Sequence, residues 1–95
     1  MAEGKSRAIV SVVGKDRTGI IAGISTAISA MEGNILDISQ TVLGDTVFTM
    51  VMLVEISHIN TSFDEFREKL TEVGSGLGME THVQLEEIFE SMYRI

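Results

Sequence analysis

The stretch AIVSVVGKDRTGIIAGISTAISAMEGNI, residues 8–35, decides how the rest of the chain is read. Ala8 to Val13 is rich in β-branched residues, the composition of a strand. It ends in the loop Gly14-Lys15-Asp16-Arg17-Thr18-Gly19. No charge then appears from Thr18 to Met31, and Ile20, Ile24, Ala27, Ile28 and Met31 recur at the spacing of one buried helical face. Gly33 is placed to end that helix, and Asn34-Ile35 to open a second strand. The two polar landmarks, Asp16 and Asn34, therefore sit at opposite ends of one helix, roughly 20 Å apart at 1.5 Å rise per residue. One small ligand cannot touch both within a single chain. Two chains packed antiparallel bring Asp16 of one beside Asn34 of the other, which points to a binding module whose site exists only in an oligomer.

Outward from this stretch the elements alternate. The first strand is Arg7 to Val13 and the second runs from Asn34 to Leu43, where Gly44-Asp45 suits a two-residue hairpin turn. A third strand spans Thr46 to Ile56. A second helix starts at Ser62, with Glu65 completing a capping box, and buries Phe63, Phe66, Leu70 and Val73. Gly74-Ser75-Gly76 is expected to stop it. Met79 to Glu86 alternates Met79, Thr81, Val83 and Leu85 with Glu80, His82, Gln84 and Glu86, a fourth strand with one wet face. Ile88, Phe89, Met92 and Tyr93 then form a short amphipathic segment.

The order β-α-β-β-α-β in so short a chain predicts an α+β ferredoxin-like sandwich: an antiparallel sheet of order 4-1-3-2 with both helices on one face, plus a short C-terminal helix. A single domain over 1–95 is expected, with a 7–86 core and an 87–95 helical extension. The third strand is apolar on both sides, with Phe48, Met50, Met52, Val54 and Ile56 on one and Val47, Val51 and Leu53 on the other. Such strands need a cover on each face. The helices supply one. The C-terminal segment is expected to supply the other, within the chain or across a dimer.

Composition excludes whole classes of function. Seven Lys and Arg against 14 Asp and Glu give a net charge of −7. Nucleic-acid affinity rests largely on cationic contacts to phosphate, and no basic stripe is present. The first strand also carries no aromatic on which a base could stack. The absence of cysteine excludes disulfides, thiolate metal sites and thiol redox chemistry. His58 and His82 lack partners at metal-binding spacing, and no cofactor motif is visible. No apolar run reaches the ~20 residues of a membrane span and no signal-peptide core opens the chain, so a cytoplasmic protein is expected.

The motif Gly14-x-Asp16-Arg17-x-Gly19-Ile20, the small-residue helix and Gly33-Asn34-Ile35 together resemble an ACT domain, the regulatory module of many enzymes of amino-acid metabolism. With the ending Ile88-Phe89-Glu90-x-Met92-Tyr93, the chain is similar to the small stand-alone ACT proteins of bacteria and archaea. Many of these carry proline where this chain has Thr18, a difference that alters loop stiffness more than chemistry. The resemblance implies a homodimer or higher oligomer that binds an amino-acid effector between two domains. Gly14, Lys15, Asp16, Arg17, Thr18 and Gly19 of one chain would meet Asn34 and Ile35 of the other. It also implies a non-catalytic, allosteric role, with any regulated enzyme a separate partner reached in trans. The chemistry agrees: helix N–H groups near Thr18 to Ile20 suit a carboxylate, Asp16 an ammonium, and Asn34 offers a donor and acceptors.

Plainer readings stand beside these. Asp16 or Thr18 serves equally as a helix cap, Asn34 as a turn residue in left-handed conformation, and Lys15 and Arg17 as solvated charges. An acylphosphatase-like enzyme would use Arg17 and Asn34, but Asp16 puts a negative charge in the anion cradle and Asn34 lies at the wrong end of the helix. A protein-interaction module without a small ligand is the other alternative. Ala22, Gly23, Thr26, Ser29 and Ala30 give the first helix a charge-free outer face suited to close packing against another protein.

Overall fold

The computed structural model describes residues 6–87. Its elements are β1 (Arg7–Lys15), α1 (Ile20–Ala30), β2 (Asn34–Leu43), β3 (Val47–Glu55), α2 (Phe63–Gly76) and β4 (Met79–Leu85). They form a four-stranded antiparallel sheet of order β2-β3-β1-β4, with both helices on one face, as the element order predicts. The segment with Ile88, Phe89, Met92 and Tyr93 lies outside the described residues.

Side-chain alternation fixes which face is which. Ala8, Val10 and Val12 of β1, Phe48, Met50, Met52 and Val54 of β3, and Met79 and Val83 of β4 point under the helices. There they meet Ile20, Ile24, Ala27 and Ile28 of α1 and Phe66 and Leu70 of α2. Burying side chains of this size contributes about 1.5–3 kcal/mol each, so this one layer dominates the stability of the fold. The opposite face of β1 and β3 leaves Val13, Val47 and Val51 exposed. Beyond its first residues β2 runs clear of the helices, so Ile38 and Val42 stay exposed even though they pair with Met52 and Phe48 on the helix side.

Several local expectations are corrected. β1 runs two residues further than expected because Gly14 and Lys15 still pair with Phe48 and Val47. The left-handed residue after α1 is Glu32 (φ 66°), not Gly33. Gly33 is demanded by space instead, since a Cβ there would lie 2.8 Å from Ile28 Cγ2. Gly74 does not stop α2: it lies buried inside the helix, where a Cβ would collide with Thr81 Oγ1. The helix ends at Gly76, and the chain reverses through Gly78 at φ 77°. Gly44 and Asp45 are both left-handed, as a hairpin turn requires, yet the ladder opposes Leu43 to Val47 and leaves Thr46 as a third loop residue. A bulge between Ile35 and Asp37 rephases β2, so that Ile35 before it and Ile38 after it face the same side.

At α2 the cap is as predicted in its first half: Ser62 Oγ accepts the Glu65 N–H at 3.1 Å. The reciprocal half differs, because the Glu65 carboxylate takes the Thr61 hydroxyl. Phe66 and Leu70 are buried as expected, with Phe63 and Val73 only half-buried at the margin. Gly23 leaves the list of outward residues. It faces α2, where a Cβ would lie 3.0 Å from Leu77 Cδ1.

Candidate functional site

The loop after β1 is short and pinned. With Gly14 and Lys15 in the strand, only Asp16 to Gly19 make the connection to α1. The Asp16 N–H donates to the Thr46 carbonyl at 2.8 Å, fastening the loop to the β2–β3 hairpin. Thr46 was not foreseen as part of this region, although its signal was present: a third strand antiparallel to the first must begin beside the first strand's end, near Lys15.

Gly19 is the residue before α1 and takes φ 87°, the left-handed region open to glycine. No side chain among the described residues caps this helix. The first helical bond runs from the Gly23 N–H to the Gly19 carbonyl, so the N–H groups of Ile20, Ile21 and Ala22 lie ahead of it. Neither Asp16 nor Thr18 serves as the cap. The side chains of Asp16, Thr18 and Lys15 are exposed, and Arg17 reaches only the Thr18 carbonyl at 3.3 Å. The Asp16 carboxylate has no hydrogen-bond or ion-pair partner among the described residues.

The two loop glycines have different causes. Around Gly19 a Cβ would meet nothing within 4 Å, so its backbone conformation alone selects glycine. At Gly14 a Cβ would lie 2.7 Å from both the Gly78 carbonyl oxygen and Met79 Cε. Gly14 is thus set by packing against β4 and does not offer its face to a ligand.

At the other end of α1, Asn34 opens β2 opposite Glu55 in extended conformation. The left-handed turn is made two residues earlier by Glu32, which removes the turn reading of Asn34. Its side chain is exposed and makes no hydrogen bond among the described residues. Beside it, Asn34 and Ile35 line one wall of an open groove of about 660 Å³, with Thr26, Ser29 and Ala30 of α1 on the other wall. The groove residues on α1 were read from the sequence only as a bland outer face. No residue of the Gly14–Gly19 loop reaches this groove.

The predicted site residues therefore fall into two groups within the chain. Asp16, Arg17, Thr18 and Gly19 gather at the N-terminus of α1, and Asn34 and Ile35 at its C-terminal end. Eleven helical residues, about 16 Å, separate them. A larger hollow of about 1250 Å³ runs along α2 past Asp64, Arg67 and Glu68, and it shares no residue with either group. Its lining is a solvated, charged helix face. Among the described residues no three His, Cys, Asp or Glu side chains converge as a metal site would require. His82 has an acidic neighbour, Glu80 at 3.3 Å, on an exposed strand face.

The sequence profile of the ACT domain matches residues 6–84, from just before β1 to the end of β4. The chain belongs to the ACT domain family. It is 49% identical over 90 residues to a UPF0237 protein of Methanocaldococcus jannaschii, covering 95% of this chain and 99% of the relative. An ACT domain protein from Streptococcus pneumoniae superposes with a TM-score of 0.79 at 40% identity, over 95% of this chain and all of that one. The regulatory subunit of aspartate kinase from Thermus thermophilus shares the fold alone, with a TM-score of 0.65 at 24% identity over 83% of this chain and 51% of that one. ACT domains are commonly regulatory ligand-binding modules, and they often dimerise and bind amino-acid effectors. No helix among the described residues is long and apolar enough to cross a membrane.

Proposed function

We propose that this chain is a non-catalytic sensor of an amino acid, working as a dimer and acting in trans on a partner enzyme. The effector lies between the Asp16–Gly19 loop of one protomer and Asn34-Ile35 of the other. The observation that carries this reading is the pair of unsatisfied ends of α1. Among the described residues, one end has uncapped helix N–H groups and an Asp16 carboxylate without a partner, and the other has an Asn34 amide that makes no hydrogen bond.

A free amino acid presents a carboxylate and an ammonium a few ångströms apart. The carboxylate suits the N–H groups of Ile20 to Ala22, where the helix dipole favours negative charge. The ammonium suits Asp16, by a charge-assisted hydrogen bond. Asn34 of the second protomer then has both a donor and an acceptor for the ligand's remaining polar atoms. Among the described residues β2 is an edge strand with no strand paired on its outer side, so two copies can pair there about a twofold axis. That arrangement brings each loop toward the other copy's Asn34. The aspartate kinase subunit's regulatory role supports the same class of function.

Titration calorimetry against the twenty amino acids tests the proposal. One of them should bind with saturable heat at one site per loop. Failure of all twenty would favour the second reading, a protein-interaction module. That reading draws on the exposed, uncharged Ile21, Ala22, Thr26, Ser29 and Ala30 of α1, a surface on which another protein could pack closely.

A further inference from the structure

The C-terminal end of α1 is closed in two layers. Met31 stands at its boundary and Glu32 takes the left-handed conformation before the chain turns into β2. The Glu32 N–H donates to the Ser29 carbonyl and the Gly33 N–H to the Ile28 carbonyl, both at 2.9 Å, the paired bonds of a Schellman turn. That inner layer serves the carbonyls up to Ser29. The carbonyls of Ala30 and Met31 lie beyond it.

Asn60 takes both. Its backbone N–H donates to the Met31 carbonyl at 3.0 Å, and its side-chain Nδ2 to the Ala30 carbonyl at 3.2 Å. Among the described residues neither carbonyl has another donor. Asn60 is itself held from both sides. Ile59 packs against the core, while the Thr61 hydroxyl bonds the Glu65 carboxylate and Ser62 Oγ accepts the Glu65 N–H. A fixed point between β3 and α2 thus grips the end of α1, 30 residues away in sequence.

The chemistry of this grip suits asparagine. Both bonds end on carbonyls at the negative end of the helix dipole, where donors are favoured. Aspartate has the same shape, but its carboxylate only accepts and would set negative charge against those carbonyls. The turn also gains from an outside hold, because its left-handed position carries glutamate where glycine is the usual residue. Asn34 enters β2 directly from this turn, opposite Glu55, and Gly33 between them is packed against Ile28 and Val54.

We infer that Asn60 is a positioning residue for Asn34. By gripping Ala30 and Met31 it fixes the turn, and so the point from which the Asn34 amide is presented. The consequence for binding rests on the amino-acid reading above; the hold on the turn does not.

Two variants of the full chain test this. Asn60→Ala removes the side-chain bond, and Asn60→Asp removes its donor while keeping the shape. In both, amide hydrogen exchange followed by NMR should quicken about fivefold or more at Glu32 and Gly33, relative to Gly23 at the other end of α1. Adding Glu32→Gly to Asn60→Ala relieves the left-handed position and should restore most of the protection. Equal quickening at all three amides would reduce Asn60 to a general structural role and overturn the inference. So would Asn60→Asp behaving as the unaltered protein does. The chain has two asparagines, so in either variant asparagine-selective ¹⁵N labelling reports Asn34 alone. With an equimolar mixture of the twenty amino acids as the probe, half of the Asn34 shift should require about twofold more in Asn60→Ala than in the unaltered protein. An equal requirement would refute the positioning role. No shift in the unaltered protein would refute the amino-acid reading instead, and the exchange rates alone would then decide whether Asn60 holds the turn.

Discussion

Thr81 on β4 packs its hydroxyl oxygen onto the face of Gly74 in α2, where any Cβ would have to stand. The oxygen is buried and has no hydrogen-bond partner among the described residues. Helix and strand approach this closely only because position 74 carries no side chain. Gly74→Ala should therefore destabilise by about 1–2 kcal/mol net, overpacking outweighing the better helix preference of alanine. Adding Thr81→Ala should recover most of the loss. Urea denaturation of the two single variants and the double variant measures the coupling, and strict additivity would contradict the contact.

The shared-site proposal makes a sharper demand on mixtures than on single variants. Asp16→Ala and Asn34→Ala should each weaken binding of the effector about tenfold or more, the loss of one hydrogen bond to a charged group. A heterodimer of the two single variants should keep one undamaged site, because both lesions fall in the other. Calorimetry on the mixture would then recover half the sites per heterodimer at normal affinity. Heterodimers without a normal site would show that Asp16 and Asn34 do not meet.

Ile38 and Val42 project from the helix side of β2 without cover, which makes them the natural place to interrupt pairing along that edge. In the unaltered protein, sedimentation at micromolar concentration should show no substantial monomer. Ile38→Lys with Val42→Lys should yield a folded 10 kDa species, since neither side chain is buried within its own chain. An unchanged sedimentation coefficient would remove the β2 edge from the dimer.

Ser62 tests local stability apart from function. Ser62→Ala removes the hydroxyl that accepts the Glu65 N–H and should cost about 1 kcal/mol. Chemical denaturation gives the number. Ligand affinity should not change, because α2 takes no part in the proposed site.

The fold was legible because its signals are periodic and redundant. Ile20, Ile24, Ala27 and Ile28 could only be a helix face, and Phe48, Met50, Met52 and Val54 only a strand face; the hairpin and the right-handed crossovers then left one strand order. Local irregularities were harder for an identifiable reason. A glycine in the sequence does not say whether it is needed for backbone conformation or for space, and Gly33, Gly74 and Gly14 all prove to be needed for space. The bulge at Leu36 was hidden because Ile35, Leu36 and Ile38 fit either phase of a strand. For the site, the sequence could place Asp16 and Asn34 at opposite ends of α1. It could not show that both are released from the plainer duties of capping and turning, since that depends on the conformations of Gly19 and Glu32.

The bond between the Asp16 N–H and the Thr46 carbonyl makes the loop and the hairpin a single mechanical piece. Thr46 is followed by β3 and preceded by the turn that ends β2, so a tug on Asp16 is felt at the tip of the very edge on which two copies would meet. Sensing and assembly would then communicate through one peptide group at the rim, with the packed interior as a fixed frame. Evolution could adjust the strength of that communication by altering Gly44 or Asp45 alone, leaving every buried residue as it is.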